Sequence, residues 1–313
     1  MSTDQKSIMN IVLYNGLCNR LLPMLSGLRL ARKCNKIINI QWTHTPIRSC
    51  LYYNDDICKL DELYEKIQDI NNNEDFEKLN FGENYDFQYW LNKDHIIDLS
   101  YKENTYINYA LYTLISSEDK TDIFKNLKTY MNTPKQVILD DVGIELSELF
   151  KNTLKPVKPL QNEIDKCYRT FKKNMIGLHL RSTDGGFVDN DWEKITNKLL
   201  LLCDKWCKSD KDNGVYLATD DLDIYIKFVS KLGINLTFYS PPKVLCGMSS
   251  NTKFNNDKYN VFCAVIELHL LGKCNNTVIG TCDSTFSMCG LLLSDKETKK
   301  YLMNNVDSIP NFI

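Results

Sequence analysis

The chain has 313 residues, a formal net charge of −2, 43% hydrophobic residues and 25% charged residues. That usage excludes a fibrous or largely disordered protein. The near-neutral balance gives no electrostatic reason to expect nucleic acid, whose binding relies on a concentrated excess of Lys and Arg. The length predicts two domains, each able to bury its own core.

Ser7 to Tyr14 reads as a strand that ends in the apolar run Ile11-Val-Leu-Tyr14 and is bounded by Asn15-Gly16. An apolar-periodic helix is predicted from Leu21 to Cys34, and a second short strand from Ile37 to Trp42. These form a β-α-β unit with a right-handed crossover. From Thr43 to Phe150 the chain is rich in Tyr, Asn and Asp with short apolar patches, and further helices are expected there. Lys155-Pro-Val-Lys-Pro159 carries two prolines and is read as the interdomain linker, dividing residues 1–155 from 156–313.

A second alternating series follows. Helices are predicted over about 160–171, 191–207, 223–232 and 259–272, with a last apolar helix opening near Ser284. Asn190 with Glu193 forms a capping-box pattern at the start of the second of these. Strands are predicted over 174–180, 215–218, 236–239 and 277–280. The alternation predicts an α/β fold with parallel sheets covered on both faces.

The polar start Met1 to Lys6 lacks the basic segment and apolar run of a signal peptide. No later stretch approaches the ~20 apolar residues of a membrane span. A cytoplasmic location is expected. The 12 cysteines include no Cys-x-x-Cys pair and are read as reduced, with Cys34, Cys263 and Cys289 as core filler. The sequons at Asn235 and Asn275 matter only in a secretory lumen.

In open parallel sheets, ligands bind beyond the carboxyl ends of the strands, so the loops that follow strands carry the chemistry. Asn15-Gly-Leu-Cys-Asn-Arg20 combines a glycine turn with a guanidinium and suits an oxyanion or a sugar hydroxyl, or else is a tight turn with a surface-paired Arg20. In His179-Leu-Arg-Ser-Thr-Asp-Gly-Gly186 the strand delivers His179 and Arg181 to its edge on one face. A guanidinium is the natural bidentate partner of a diphosphate; the competing reading is a core histidine with a salt-bridged arginine. The carboxylates of Tyr216-Leu-Ala-Thr-Asp-Asp221 can bind a metal, hold ribose hydroxyls or cap the next helix, and capping is the expected use of at least one. Gly280-Thr-Cys-Asp-Ser-Thr-Phe286 turns hydroxyls and N–H groups toward an anion at a helix start, or caps that helix through Asp283 or Ser284. Glu267 lies in an apolar helix with Cys263, Ala264, Leu270 and Leu271 one turn away. It therefore needs a tertiary cation or a ligand donor, and the two adjacent N–H donors of guanine would serve.

Together these segments resemble the signature of the fucosyltransferase superfamily that includes protein O-fucosyltransferases and the nodulation and core α1,6-fucosyltransferases. Asn-Gly-Leu-Cys-Asn-Arg is similar to its N-terminal loop, and His-Leu-Arg-Ser-Thr-Asp to its His-x-Arg donor motif. Ala-Thr-Asp and Asp-Ser-Thr-Phe match its later strand-end motifs. Cys18 stands where the family usually has glycine, and Glu267 where aspartate is common. The resemblance implies a GT-B fold, two Rossmann-like domains facing a central cleft, the first on the acceptor side and the second holding the donor. It implies an inverting reaction with GDP-fucose as donor, a glycan as acceptor, and no metal or other cofactor. Arg181 would neutralise the β-phosphate as the catalytic residue, with His179 beside the nucleotide. Ser284, Thr285 and Phe286 would cradle the diphosphate, Glu267 would read guanine, and Asp184 and Asp220 would complete the donor site. Asn19 and Arg20 would face the transferred sugar. Asp55, Asp56 and Glu83 are candidates for the base that deprotonates the acceptor. Competing readings are a GT-B transferase with another nucleotide sugar and a non-catalytic glycan-binding pseudoenzyme.

Overall fold

The computed structural model describes residues 8–13, 17–33, 37–42, 58–68, 70–72, 104–108, 141–181, 192–240, 258–282 and 284–313. The chain divides into two compact units, Met1–Leu154 and Lys155–Ile313.

The first unit contains β1 (Ile8–Leu13), α1 (Leu17–Lys33), β2 (Ile37–Trp42), β3 (Ile70–Asn72), β4 (Asn104–Asn108) and α2 (Asp141–Thr153). Its four strands are parallel in the order β3-β2-β1-β4. The helix α1 opens at Leu17 rather than at Leu21, because Leu17, Cys18 and Arg20 are themselves buried and tertiary packing extends the helix over the expected turn. It is buried nearly all round, with Arg20, Ser26 and Arg29 enclosed along with its apolar residues. Arg29 of α1 donates from Nε to Glu145 of α2 at 2.6 Å, tying the two helices together. Strands β3 and β4 fall where the sequence pattern was unreadable: Ile-Asn-Asn and Asn-Thr-Tyr-Ile-Asn lack the apolar run of a buried strand.

The second unit runs α3 (Lys158–Tyr168), β5 (Asn174–Leu180), α4 (Trp192–Ser209), β6 (Asn213–Thr219), α5 (Leu222–Leu232), β7 (Leu236–Thr237), α6 (Lys258–Gly272), β8 (Thr277–Thr281), α7 (Thr285–Leu293) and β9 (Lys299–Met303). Its strands are all parallel in the order β7-β6-β5-β8-β9. From β5 the chain winds outward through β6 and β7, then crosses to β8 and β9 on the other side. The switch point therefore lies between β5 and β8, where open α/β sheets place their ligands.

Sequence dictates this layering. Residues alternate across a strand, so Ile176, Leu178 and Leu180 of β5 share one face with Val215 and Leu217 of β6. That face packs on Ile195, Leu199 and Cys203 of α4 and on Ile224 and Phe228 of α5. Each fully buried aliphatic or aromatic side chain there is worth about 1.5–3 kcal/mol. The tail closes the same core with Ile309 and Phe312. The opposite face is built for close approach. A Cβ at Gly177 would lie 2.8 Å from Cys274 Sγ, and one at Gly280 would lie 2.5 Å from Ser287 Cβ. Only glycine lets α6 and α7 sit this near the sheet.

Two expectations need correction. Pro159 does not break the chain; it occupies the first turn of α3, where its missing N–H would have had no helical partner in any case. The final apolar helix is not the last element, because β9 follows and pairs with β8. Its sequence, Lys-Lys-Tyr-Leu-Met, reads as a polar stretch since only Leu302 and Met303 are buried. The capping residue Asn190 lies outside the described residues. No described helix is long and apolar enough to cross a membrane.

Replacing Gly280 with alanine drives a methyl group into the rigid turn of α7 that carries Ser287. The expected loss is about 1–3 kcal/mol of unfolding free energy, measurable as a lowered urea midpoint with an unchanged slope.

Candidate functional site

The carboxyl end of β5 is held from both flanks by hydroxyl groups. On one side Thr219 Oγ1, from β6, donates to the Leu180 carbonyl at 2.7 Å and accepts the Asp221 N–H at 3.2 Å. On the other, Thr281 Oγ1, from β8, donates to the His179 carbonyl at 3.0 Å and accepts the Arg181 N–H at 3.1 Å. Each threonine thus satisfies a backbone group at the point where the ladder runs out. The second fixes where Arg181 leaves the sheet.

His179 lies on the face beneath α7. Its Nδ1 is 2.7 Å from Ser287 Oγ, and its ring stands 4.6 Å from that of Phe286 at 32°. The register pairs His179 with Gly280, and the missing Cβ there makes room for Ser287. Burial, and then the charge of Arg181, lower the His179 pKa to about 3. The imidazole is therefore neutral at physiological pH, and the cation at this strand end is Arg181.

Ser284 caps α7, its hydroxyl accepting the Ser287 N–H at 3.5 Å. The first-turn N–H groups of that helix and its dipole make an anion-attracting end beside β5. Thr285 and Phe286 are half-buried in that turn. The expected division of labour in the Asp pair is also seen. Asp221 caps α5 by accepting from Asp223 N at 2.8 Å and Ile224 N at 3.1 Å, while Asp220 stays half-buried at the strand end.

Glu267 has no ion pair among the described residues, and its carboxyl accepts a hydrogen bond from the Ser240 backbone N–H. Its pKa is raised to about 8, chiefly by desolvation and further by Asp220, against the single opposing bond from Ser240. Among the described residues the tertiary cation that was one expected partner is not found; the charge that acts on Glu267 there, Asp220, has the same sign.

The structure brings His179, Arg181, Ser284, Thr285 and Phe286 together at the β5/β8 switch point, with Asp220 and Glu267 across β6 and α6. In the first unit, Asn19 is half-buried in the opening turn of α1. Arg20, expected to face a sugar, is instead wholly buried, its guanidinium carbon 4.0 Å above the Trp42 ring. Burial lowers its pKa to about 9, against the opposing influence of Cys58, Cys18 and Tyr64. Asp184, Asp55, Asp56 and Glu83 lie outside the described residues. No group of three or more His, Cys, Asp or Glu among the described residues is placed to hold a metal ion. The nine described cysteines are all free thiols. Sequence reasoning missed Thr219, Thr281, Ser287 and Ser240. The first two were legible as hydroxyls at the last position of a buried strand, whereas the backbone donor of Ser240 has no sequence signal.

Three comparisons bear on this architecture. No protein-family model matches the chain, and no curated protein sequence matches it either. Among solved structures, NodZ α-1,6-fucosyltransferase soaked with GDP-fucose superposes with a TM-score of 0.62 at 16% identity, covering 93% of each chain. The chain has the fold of the GT-B fucosyltransferases. A variant of Arabidopsis thaliana FUT1 in complex with GDP matches with a TM-score of 0.56 at 10% identity, over 97% of this chain and 72% of that one. POFUT1 in complex with GDP-fucose matches at 0.51 and 11% identity, over 96% of this chain and 99% of the other.

Two outcomes follow from the geometry. Thr281→Val removes the hydroxyl that serves both His179 O and Arg181 N–H, and is expected to lower stability by about 1–3 kcal/mol, with Thr281→Ser restoring most of it in urea unfolding. The Glu267 carboxyl holds its proton more tightly when folded than at its ordinary value of 4.5. Its contribution to stability is therefore fully present below about 4.5, falls as pH rises toward 8, and is gone above that. Glu267→Gln is expected to flatten this fall in melting temperatures recorded from pH 5 to 8.5.

Proposed function

We propose that the protein is an inverting, metal-independent glycosyltransferase that transfers fucose from GDP-fucose to a hydroxyl of a glycan. The observation that carries this reading is the junction of Arg181 with the capped start of α7 at the β5/β8 switch point. In such a transfer the acceptor oxygen attacks the anomeric carbon of fucose, the bond from that carbon to the β-phosphate oxygen breaks, and GDP leaves with the electron pair. Negative charge grows on the β-phosphate. Arg181 meets that charge without a metal, together with the N–H groups of Thr285 and Phe286, which the helix start holds in place. Solved structures of the same fold with GDP-fucose or GDP bound support the choice of donor.

The remaining roles follow from position. Neutral His179 lies beside the nucleotide and is held by Ser287. Ser284 orients the turn that cradles the diphosphate, Asp220 and Asp184 serve the donor, and Glu267 reads guanine. The first unit, residues 1–155 by the sequence division, is the acceptor side, with Asn19 toward the transferred sugar. Arg20, buried on Trp42, holds that turn in place rather than touching the sugar. The acceptor proton goes to a carboxylate of the first unit, with Asp55, Asp56 and Glu83 as candidates. The proposed location is the cytoplasm, and no nucleic-acid partner is required.

Thermal-shift measurements with GDP, UDP and dTDP test the donor. GDP at a hundred times its Kd is expected to stabilise the protein by about 2.7 kcal/mol, and the pyrimidine nucleotides to do far less. Arg181→Ala is expected to reduce fucosyl transfer by roughly 10²–10³-fold while leaving the fold intact. Wild-type transfer rates in that variant would refute the assignment.

A further inference from the structure

Ser287 stands at the third position of α7, wholly buried, with its Oγ 2.7 Å from Nδ1 of His179. The contact depends on a missing side chain. A Cβ at Gly280 would lie 2.5 Å from Ser287 Cβ and 2.7 Å from its Oγ. The backbone N–H of Ser287 is taken by the Ser284 hydroxyl at 3.5 Å, and the Phe286 ring lies 4.6 Å from the imidazole at 32°, so each group is braced by a neighbour.

A neutral imidazole carries one proton, on Nδ1 or on Nε2, and the partner of Nδ1 decides which. The Ser287 hydroxyl also has one proton to place. Helical serines commonly send it to the carbonyl four residues back. Here that residue precedes the cap, and Ser284 is extended, with φ −90° and ψ 116°, so the helical register does not reach it. Among the described residues, Nδ1 of His179 is the one hydrogen-bond partner of the hydroxyl. With the ring proton on Nδ1, the ring would donate to Oγ and the hydroxyl proton would be stranded in the interior, a desolvation cost with nothing to offset it. With the proton on Nε2, Ser287 donates to Nδ1 and its hydroxyl is satisfied. Nε2 itself diverges from this bond by the geometry of the ring, and it has no hydrogen-bond partner among the described residues.

Resting on the reading of the β5/β8 switch point as the diphosphate site, we propose that Ser287 is a positioning residue that donates its O–H to His179 Nδ1 and so fixes the Nε2–H tautomer, giving the site an uncharged N–H donor for the anion beside the Arg181 cation. The other tautomer would offer a lone pair to phosphate oxygens, which carry lone pairs of their own. Burial and Arg181 both keep the ring neutral, so the tautomer rather than the charge sets what the ring offers. Ser287 thereby acts on binding through His179, without touching the nucleotide.

Nitrogen-15 correlation spectra of the full chain, with its 4 histidines labelled, test this at neutral pH. The His179 signals, assigned by their loss in His179→Gln, are expected to show the proton on Nε2 and a bare Nδ1. Ser287→Ala is expected to shift the ring toward the Nδ1–H form and to weaken GDP binding by about threefold to tenfold in calorimetry, the worth of one hydrogen bond. A role in packing alone would leave the tautomer unmoved. A wild-type ring protonated on Nδ1 would overturn the proposal, and that spectrum decides the tautomer even where the alanine variant fails to fold. An unchanged tautomer in Ser287→Ala, or a changed one with unchanged GDP affinity, would also overturn it. Absence of GDP binding by wild-type protein whose His179 carries its proton on Nε2 counts instead against the donor reading, and the tautomer assignment stands.

Discussion

Two threonine side chains, one on each neighbouring strand, close the hydrogen-bonding of β5 at its carboxyl end, and the rest of the site is hung from that closure. Without Thr281 the Arg181 N–H would lose its partner, and the chain would have no fixed exit from the sheet. With it, the same oxygen that receives Arg181 holds the His179 carbonyl, so the two residues leave the strand in a defined relation. Thr219 repeats the device toward Asp221. A hydroxyl suits this work because it donates and accepts at once, and a strand end presents one carbonyl and one N–H in need of both.

The electrostatics follow from what lies beneath. Gly280 admits Ser287 to within reach of His179, and the apolar wall that comes with it, Phe286 included, removes the imidazole from water. A desolvated histidine beside a guanidinium has two reasons to stay neutral, and both act in the same direction. Positive charge at the switch point is therefore concentrated on Arg181. The whole chain is slightly acidic, so attraction for an anion has to be built locally. Among the described residues, Arg181 and the capped start of α7 meet at this point.

Much of this was legible in the sequence, for reasons that differ by element. The second unit could be read nearly strand by strand because parallel strands buried on both faces are continuous apolar runs, as in Met175 to Leu180. The strand-end loops could be picked out because the fold class fixes where ligands bind, and the structure places Arg181 and Ser284, singled out on that ground, at the β5/β8 switch point. Asp221 as a cap was predictable from its place before Leu222. What failed to show was tertiary in origin. β9 exposes Lys299 and only half-buries Lys300 and Tyr301, so its pattern is too polar to stand out, and α1 runs through Cys18-Asn-Arg20 because the surrounding core covers it.

The two arginines at strand-to-helix turns show how position decides between binding and packing. Both follow a parallel strand, and from composition alone either could meet an anion. Arg20, however, falls inside α1 rather than before it, so its side chain must project from a helix that is buried almost all round. There the face of Trp42 offers the ring electrons that a desolvated guanidinium can use, and burial lowers its pKa only to about 9, so it keeps its charge at neutral pH. Arg181 is the first residue beyond its strand and is only half-buried, with its N–H already engaged by Thr281. The backbone is committed and the position is not sealed, which is the condition a phosphate-binding guanidinium requires. The difference arises from where the helix begins: a start at Leu17 turns the first arginine into a packing element, whereas Arg181 stands directly at the end of β5.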